Sequence, residues 1–180
     1  MNKGYAITTG LILLALGGAA ASAQAPLLAA NPALAAARPA QKAGCIELKS
    51  VAETEESYRD DKGQQVVRRV PAAKVVPGTQ VIWTLSATNV CSAAADKVFI
   101  DNPVPEHMAL VADSVRATGA DISYSLDGKQ FAAAEQLRVA EADGTTRQAR
   151  TDEYTHVRWA FRNSIGPGQL AAASFRATVR

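Results

Sequence analysis

Along most of this chain apolar and polar residues alternate with period two. Ile46 and Leu48 alternate with Glu47 and Lys49. Val81, Trp83, Leu85 and Ala87 alternate with Ile82, Thr84, Ser86 and Thr88. Thr155, Val157, Trp159 and Phe161 alternate with His156, Arg158, Ala160 and Arg162. Ala173, Phe175, Ala177 and Val179 alternate with Ser174, Arg176, Thr178 and Arg180. Successive side chains of a strand point to opposite faces, so each run predicts a strand with one face buried.

Turn signals separate these runs. Asp60-Asp61-Lys62-Gly63 precedes a strand over Gln64 to Val70, and Pro77-Gly78 and Pro167-Gly168 each precede another. Lys97 to Ile100 reads as a short strand stopped by Asp101-Asn102-Pro103. Ile122 to Ser125, Asp127-Gly128 and Gln130-Phe131 read as a hairpin, since Asp-Gly tolerates positive φ. Leu137 to Val139 with Asp143-Gly144 repeats the device. No long helical pattern interrupts the series. The fold class is therefore all-β: an immunoglobulin-like antiparallel β-sandwich of about seven to nine strands. Its core is expected at Trp83, Leu85, Val98, Ile100, Val157, Trp159, Phe161 and Phe175.

The first 43 residues have a different texture. Lys3, the apolar stretch Ile7 to Ala20 and Ala21-Ser22-Ala23 have the order of a secretory signal peptide, residues 1–23, cut after Ala23. An uncleaved anchor is the alternative, but the leucine-rich part is short for a span of about 20 residues. Residues 24–43 are Ala- and Pro-rich and read as a tether, leaving 44–180 as the sandwich domain. Nothing after the leader approaches membrane length. The mature chain is expected to be exported: periplasmic, cell-surface or secreted.

Composition narrows the function classes. A length of 180 residues suits one domain, and a formal net charge of +2 gives no polybasic surface for nucleic acid. Cys45 opens the first strand and Cys91 follows the strand Val81 to Val90. If those strands pair antiparallel the two cysteines meet, and a disulfide there suits an oxidising compartment. Two unpaired thiols are the alternative. Cys45 shares parity with Glu47, which places the bridge at the sandwich edge. Ala43-Gly44-Cys45 also resembles the end of a lipoprotein processing site, although Lys42 and the distance from the apolar run fit it poorly.

The stretch from Val76 to Val179 carries an ordered series of motifs. Pro77-Gly78-Thr79-Gln80-Val81-Ile82-Trp83 is followed by Asn89, by Ala94 to Val98, and by Ile100-Asp101-Asn102-Pro103-Val104-Pro105-Glu106-His107-Met108. Ser125-Leu126-Asp127-Gly128, Tyr154-Thr155-His156-Val157-Arg158-Trp159 and Pro167-Gly168 close it. Over about 100 residues this resembles the conserved repeat domain of bacterial surface and secreted proteins, domain of unknown function eleven. The resemblance implies an immunoglobulin-like fold, an envelope location and no known catalytic activity. The domain occurs here once rather than in tandem.

Chemistry-bearing residues are sparse. His107 sits in a Pro-flanked loop, His156 lies on the polar side of a strand, and there is no nucleophile elbow. Asp60, Asp61, Asp121 and Asp127 match no calcium-loop spacing and read as turn residues. No enzyme, metal or cofactor is expected. If the last two strands form a hairpin, His156, Arg158, Arg162, Arg176 and Arg180 share one outward basic face. That face could meet an anionic envelope glycan, lipid or protein, or the acidic run Glu53, Glu55, Glu56, Asp60 and Asp61 of another copy. The last strand, read as a sheet edge, could also accept residues 25–37 of a neighbour, head to tail. The functional expectation is a non-catalytic secreted or cell-envelope structural or interaction module. Its partner is an envelope protein or polymer, or a second copy. The alternative is a binding module that uses the arginine face.

Overall fold

The computed structural model describes residues 6–7 and 41–180. The expected leader and tether lie outside the described residues apart from Ala6–Ile7 and Gln41–Ala43. The strands are β1 (Ala6–Ile7), β2 (Gln41–Ala43), β3 (Ile46–Arg59), β4 (Gln65–Pro71), β5 (Gln80–Asn89), β6 (Phe99–Pro103) and β7 (Met108–Leu110). They continue with β8 (Arg116–Ala117), β9 (Ala120–Ser125), β10 (Arg138–Ala140), β11 (Thr146–Gln148), β12 (His156–Phe161) and β13 (Leu170–Val179). The thirteen strands among the described residues are more than the pattern suggests. Two- and three-residue strands such as β7 and β8 are too short to show an alternation.

Two sheets pack as a sandwich, with the order β1-β6-β12-β9 in one and β2-β3-β5-β13-β7 in the other. In the second sheet β4 extends β3 and β8 also pairs with β13, while β10 and β11 form a separate hairpin. All eight expected core residues are buried, Trp159 and Phe175 completely. Phe175 lies between the two tryptophans, its ring centre 6.2 Å from that of Trp83 and 6.1 Å from that of Trp159. Trp159 comes from one sheet and Phe175 and Trp83 from the other, so this stack locks the layers together.

The second sheet begins before Gly44. Gln41 pairs with Leu48 and Ala43 with Ile46 through a tight reversal at Gly44, whose φ is +60°. β3 is long enough to serve two partners. Ile46 to Glu53 pair with β5, and Glu53 to Arg59 pair with β4. The outer half therefore projects beyond β5 as a two-stranded arm with exposed Tyr58 and Val67.

Two expectations about strands are corrected. Asp101-Asn102-Pro103 does not stop β6 but belongs to it, opposite Arg158, Val157 and His156. The polar side chains are satisfied within the sheet, Asp101 by Arg158 and Asn102 by the Pro103 carbonyl, so the ladder continues through them. The last strand is not an edge: β13 lies between β5 and β7. Residues 25–37 of a neighbour cannot add to it.

Candidate functional site

The first sequence-derived pair is confirmed in place. β3 and β5 run antiparallel with Ile46 opposite Asn89, and the Val90 N–H donates to the Cys45 carbonyl at 2.9 Å. The Cys45 and Cys91 sulfurs are at disulfide-bonding distance, 2.20 Å, with Cα atoms 5.2 Å apart. Both residues are half-buried, at the sandwich end rather than in its core. Beside them Asn89 is fully buried. Its Nδ2 donates to the carbonyls of Ala93 (2.8 Å) and Ile165 (2.7 Å), and its Oδ1 accepts from the Cys91 N–H at 3.0 Å. One amide thus ties together the two loops at this end.

The shared basic face does not form. β12 and β13 are not a hairpin; they belong to different sheets. Val157 and Trp159 point into the core from one sheet and Phe175 and Ala177 from the other. Arg158 and Arg176 therefore project from opposite outer faces of the sandwich. The failure has a simple cause: Pro167-Gly168 turns the chain across the layers, which alternation cannot distinguish from a turn within one sheet.

Each of these arginines meets a carboxylate of its own chain. Arg158 donates Nε and Nη2 to the two oxygens of Asp101 at 2.6 and 2.7 Å. The Asp101 carboxylate holds the guanidinium proton more tightly than usual, against the opposing effect of burial. The same guanidinium lies 3.9 Å from the ring centre of Phe131 and 4.8 Å from that of Phe99, a cation–π sandwich. Arg176 makes a two-pronged pair with Glu55 at 3.0 and 2.8 Å, which lowers the Glu55 pKa. Arg162 reaches Asp121 at 3.6 Å and Arg180 lies 3.9 Å from Asp152. The acidic run is also matched internally, with Glu55 opposite Arg69 and Glu56 opposite Arg68 across the arm.

His156 is half-buried. Burial lowers its pKa, and the nearby Asp101 and Asp127 only partly counter that. Its ring packs edge-on against Phe131 and sits over Gly128, and Thr155 Oγ1 lies 2.9 Å from Nδ1. His107, in a turn at φ +61°, uses its carbonyl to accept from the Arg180 N–H.

Of the four aspartates read as turn residues, Asp60 and Asp127 bond to backbone, while Asp121 lies in β9 rather than in a turn. Asp60 Oδ1 accepts from the N–H groups of Lys62 and Gln64 at 2.9 and 2.8 Å. Asp127 Oδ1 accepts from the Gln130 and Lys129 N–H groups and from Ser125 Oγ, which lowers its pKa to about 2. These are the bonds of an Asx turn, and they leave the carboxylate committed to loop geometry.

One charge network escaped the sequence reading. Arg147 forks onto Glu153 at 2.6 Å on both prongs and also pairs with Glu141. Glu153 accepts in addition from the Arg150 N–H at 2.7 Å, and its pKa falls to about 2. Glu153 lies in the short 3-10 turn Thr151–Glu153 that follows β11, so strand alternation gives no signal for its pairing with Arg147. Comparison with protein-family models, with curated proteins and with solved structures finds no match to the chain.

Proposed function

We propose that the protein is a non-catalytic module, exported across the cytoplasmic membrane, whose role in the envelope is structural or adhesive. The observation that carries this reading is the Cys45–Cys91 pair, which joins two sites 46 positions apart in sequence. Pairing of this kind persists in oxidising compartments and is rare in the cytosol. The leader-like order of Lys3, Ile7 to Ala20 and Ala21-Ser22-Ala23 supports the same compartment.

The side chains that looked most reactive support a structural rather than a chemical role. Arg158, Arg176, Arg162 and Arg180 all neutralise carboxylates of the same chain, and Asp60 and Asp127 hold turns. The resemblance to the conserved repeat domain of bacterial surface proteins points the same way. Fractionation of the native cell, followed by a non-reducing, unboiled gel, tests the reading. The protein is expected outside the cytoplasm, in the periplasmic or sheared surface fraction. Confinement to the cytoplasm would sink the proposal.

A further inference from the structure

The free side of β6 can be worked out from its bonded side. The Phe161 N–H donates to the Val98 carbonyl at 2.9 Å, and the Val104 N–H donates to the Thr155 carbonyl at 2.8 Å. Bonded and non-bonded pairs alternate along an antiparallel ladder. Val98, Ile100, Asn102 and Val104 therefore direct their backbone groups at β12. Phe99, Asp101 and Pro103 direct theirs away from it. Pro103 has no N–H, and its carbonyl accepts from Asn102 Nδ2 at 2.8 Å. The outward set is thus the N–H and C=O groups of Phe99 and Asp101.

This edge accepts a strand. Ala6–Ile7 lie along it in the full chain, parallel to β6, with Ala6 opposite Phe99 and Ile7 opposite Ile100. In the export reading these residues belong to the leader, residues 1–23, that is removed.

We infer that, once the leader is gone, the β6 edge pairs with the β6 edge of a second copy, antiparallel about a two-fold axis at Ile100. The inference rests on the export reading and names the partner. Two outward residues spaced two apart are self-complementary: Phe99 of each copy falls opposite Asp101 of the other. Each such pair exchanges both of its bonds, so four backbone hydrogen bonds form. Isologous contacts of this kind build closed dimers, the commonest oligomers. The joined sheets run β9-β12-β6 and then β6-β12-β9. A five-residue edge is small beside a standard interface of about 1,600 Å², so the dimer is weak and depends on concentration.

Amide hydrogen exchange on the processed chain, Gln24 to Arg180, tests this. That chain keeps every core residue, all of which lie between Ile46 and Val179. Phe99 and Asp101 amides are expected to exchange about tenfold more slowly at millimolar than at low micromolar concentration. Amides of β4 should not change, and sedimentation should show a dimer at the higher concentration. In the full chain the Phe99 and Asp101 amides should be slow at both concentrations.

Phe99→Pro removes one outward N–H and no bond to β12, and should leave the processed chain monomeric. Phe99→Glu, placed opposite the partner's Asp101, should do the same without touching the backbone. Concentration-independent exchange at Phe99 and Asp101, fast or slow, would overturn the inference. So would a dimer that survives both variants. The mass of the exported chain is read separately: an uncut leader would overturn the export reading, while the exchange data still decide the edge.

Discussion

Arg158 and Asp101 face each other on adjacent strands and share two hydrogen bonds, 2.6 and 2.7 Å long. Phe99 and Phe131 cover the guanidinium from either side. Asp101 is almost buried, whereas about a third of the Arg158 side chain remains exposed. Truncating one partner strands a partly desolvated charge. Asp101→Ala is therefore expected to cost about 2 kcal/mol, below the 3–5 kcal/mol of a fully buried pair. Adding Arg158→Ala to it should cost clearly less than the sum of the single changes. Urea denaturation of the double-mutant cycle measures this, and strict additivity would remove the pair as a stabilising unit.

Asn89 should matter more than its size suggests. Asn89→Ala loses bonds to Ala93, Ile165 and Cys91 in a buried site, an expected cost of about 3 kcal/mol. Asn89→Asp should be comparably damaging, because a carboxylate cannot donate to two carbonyls. Equal denaturation midpoints for wild type and Asn89→Asp would contradict this assignment.

Acid should loosen the Arg147 network. Glu153 has its pKa lowered from 4.5 to about 2, chiefly by the Arg147 side chain. A depressed carboxylate stabilises the fold above its unfolded pKa, and that contribution is lost as pH falls toward the folded value. Stability should therefore drop between about pH 4.5 and 2, and Arg147→Met should flatten that part of the profile. Thermal unfolding across this range reads the difference.

Gly128 combines two constraints. Its φ is +74°, and a Cβ there would lie 2.7 Å from His156 Cε1. Gly128→Ala should destabilise by about 1–2 kcal/mol through strain and crowding. His156→Ala in the same chain should relieve the crowding but not the backbone strain, so recovery is partial. Complete recovery would mean that the ring contact alone demands glycine.

The period-two pattern is enough to place the start of β3, at Ile46 to Lys49, together with β5, β12 and β13, and to choose which of their faces is buried. Trp83, Trp159 and Phe175 could be assigned to the core because alternation directly encodes side-chain direction. Alternation says nothing about which strands share a sheet. That is why alternation alone groups Arg158 with Arg176, which stand on opposite faces of the sandwich. The β6 extension through Asp101-Asn102-Pro103 was hidden for a related reason. Those residues weaken an isolated strand, and only the partner Arg158, 57 residues away, makes Asp101 acceptable there. The cysteine pair was legible because two strand ends and one antiparallel pairing suffice to bring the thiols together.

The most direct test of the central claim is the intact mass of the native protein, taken after alkylation without reductant and again with it. An exported module predicts a chain starting at Gln24 whose Cys45 and Cys91 take up alkylating agent only after reduction. A chain of full length, with both cysteines alkylated before reduction, would contradict the account.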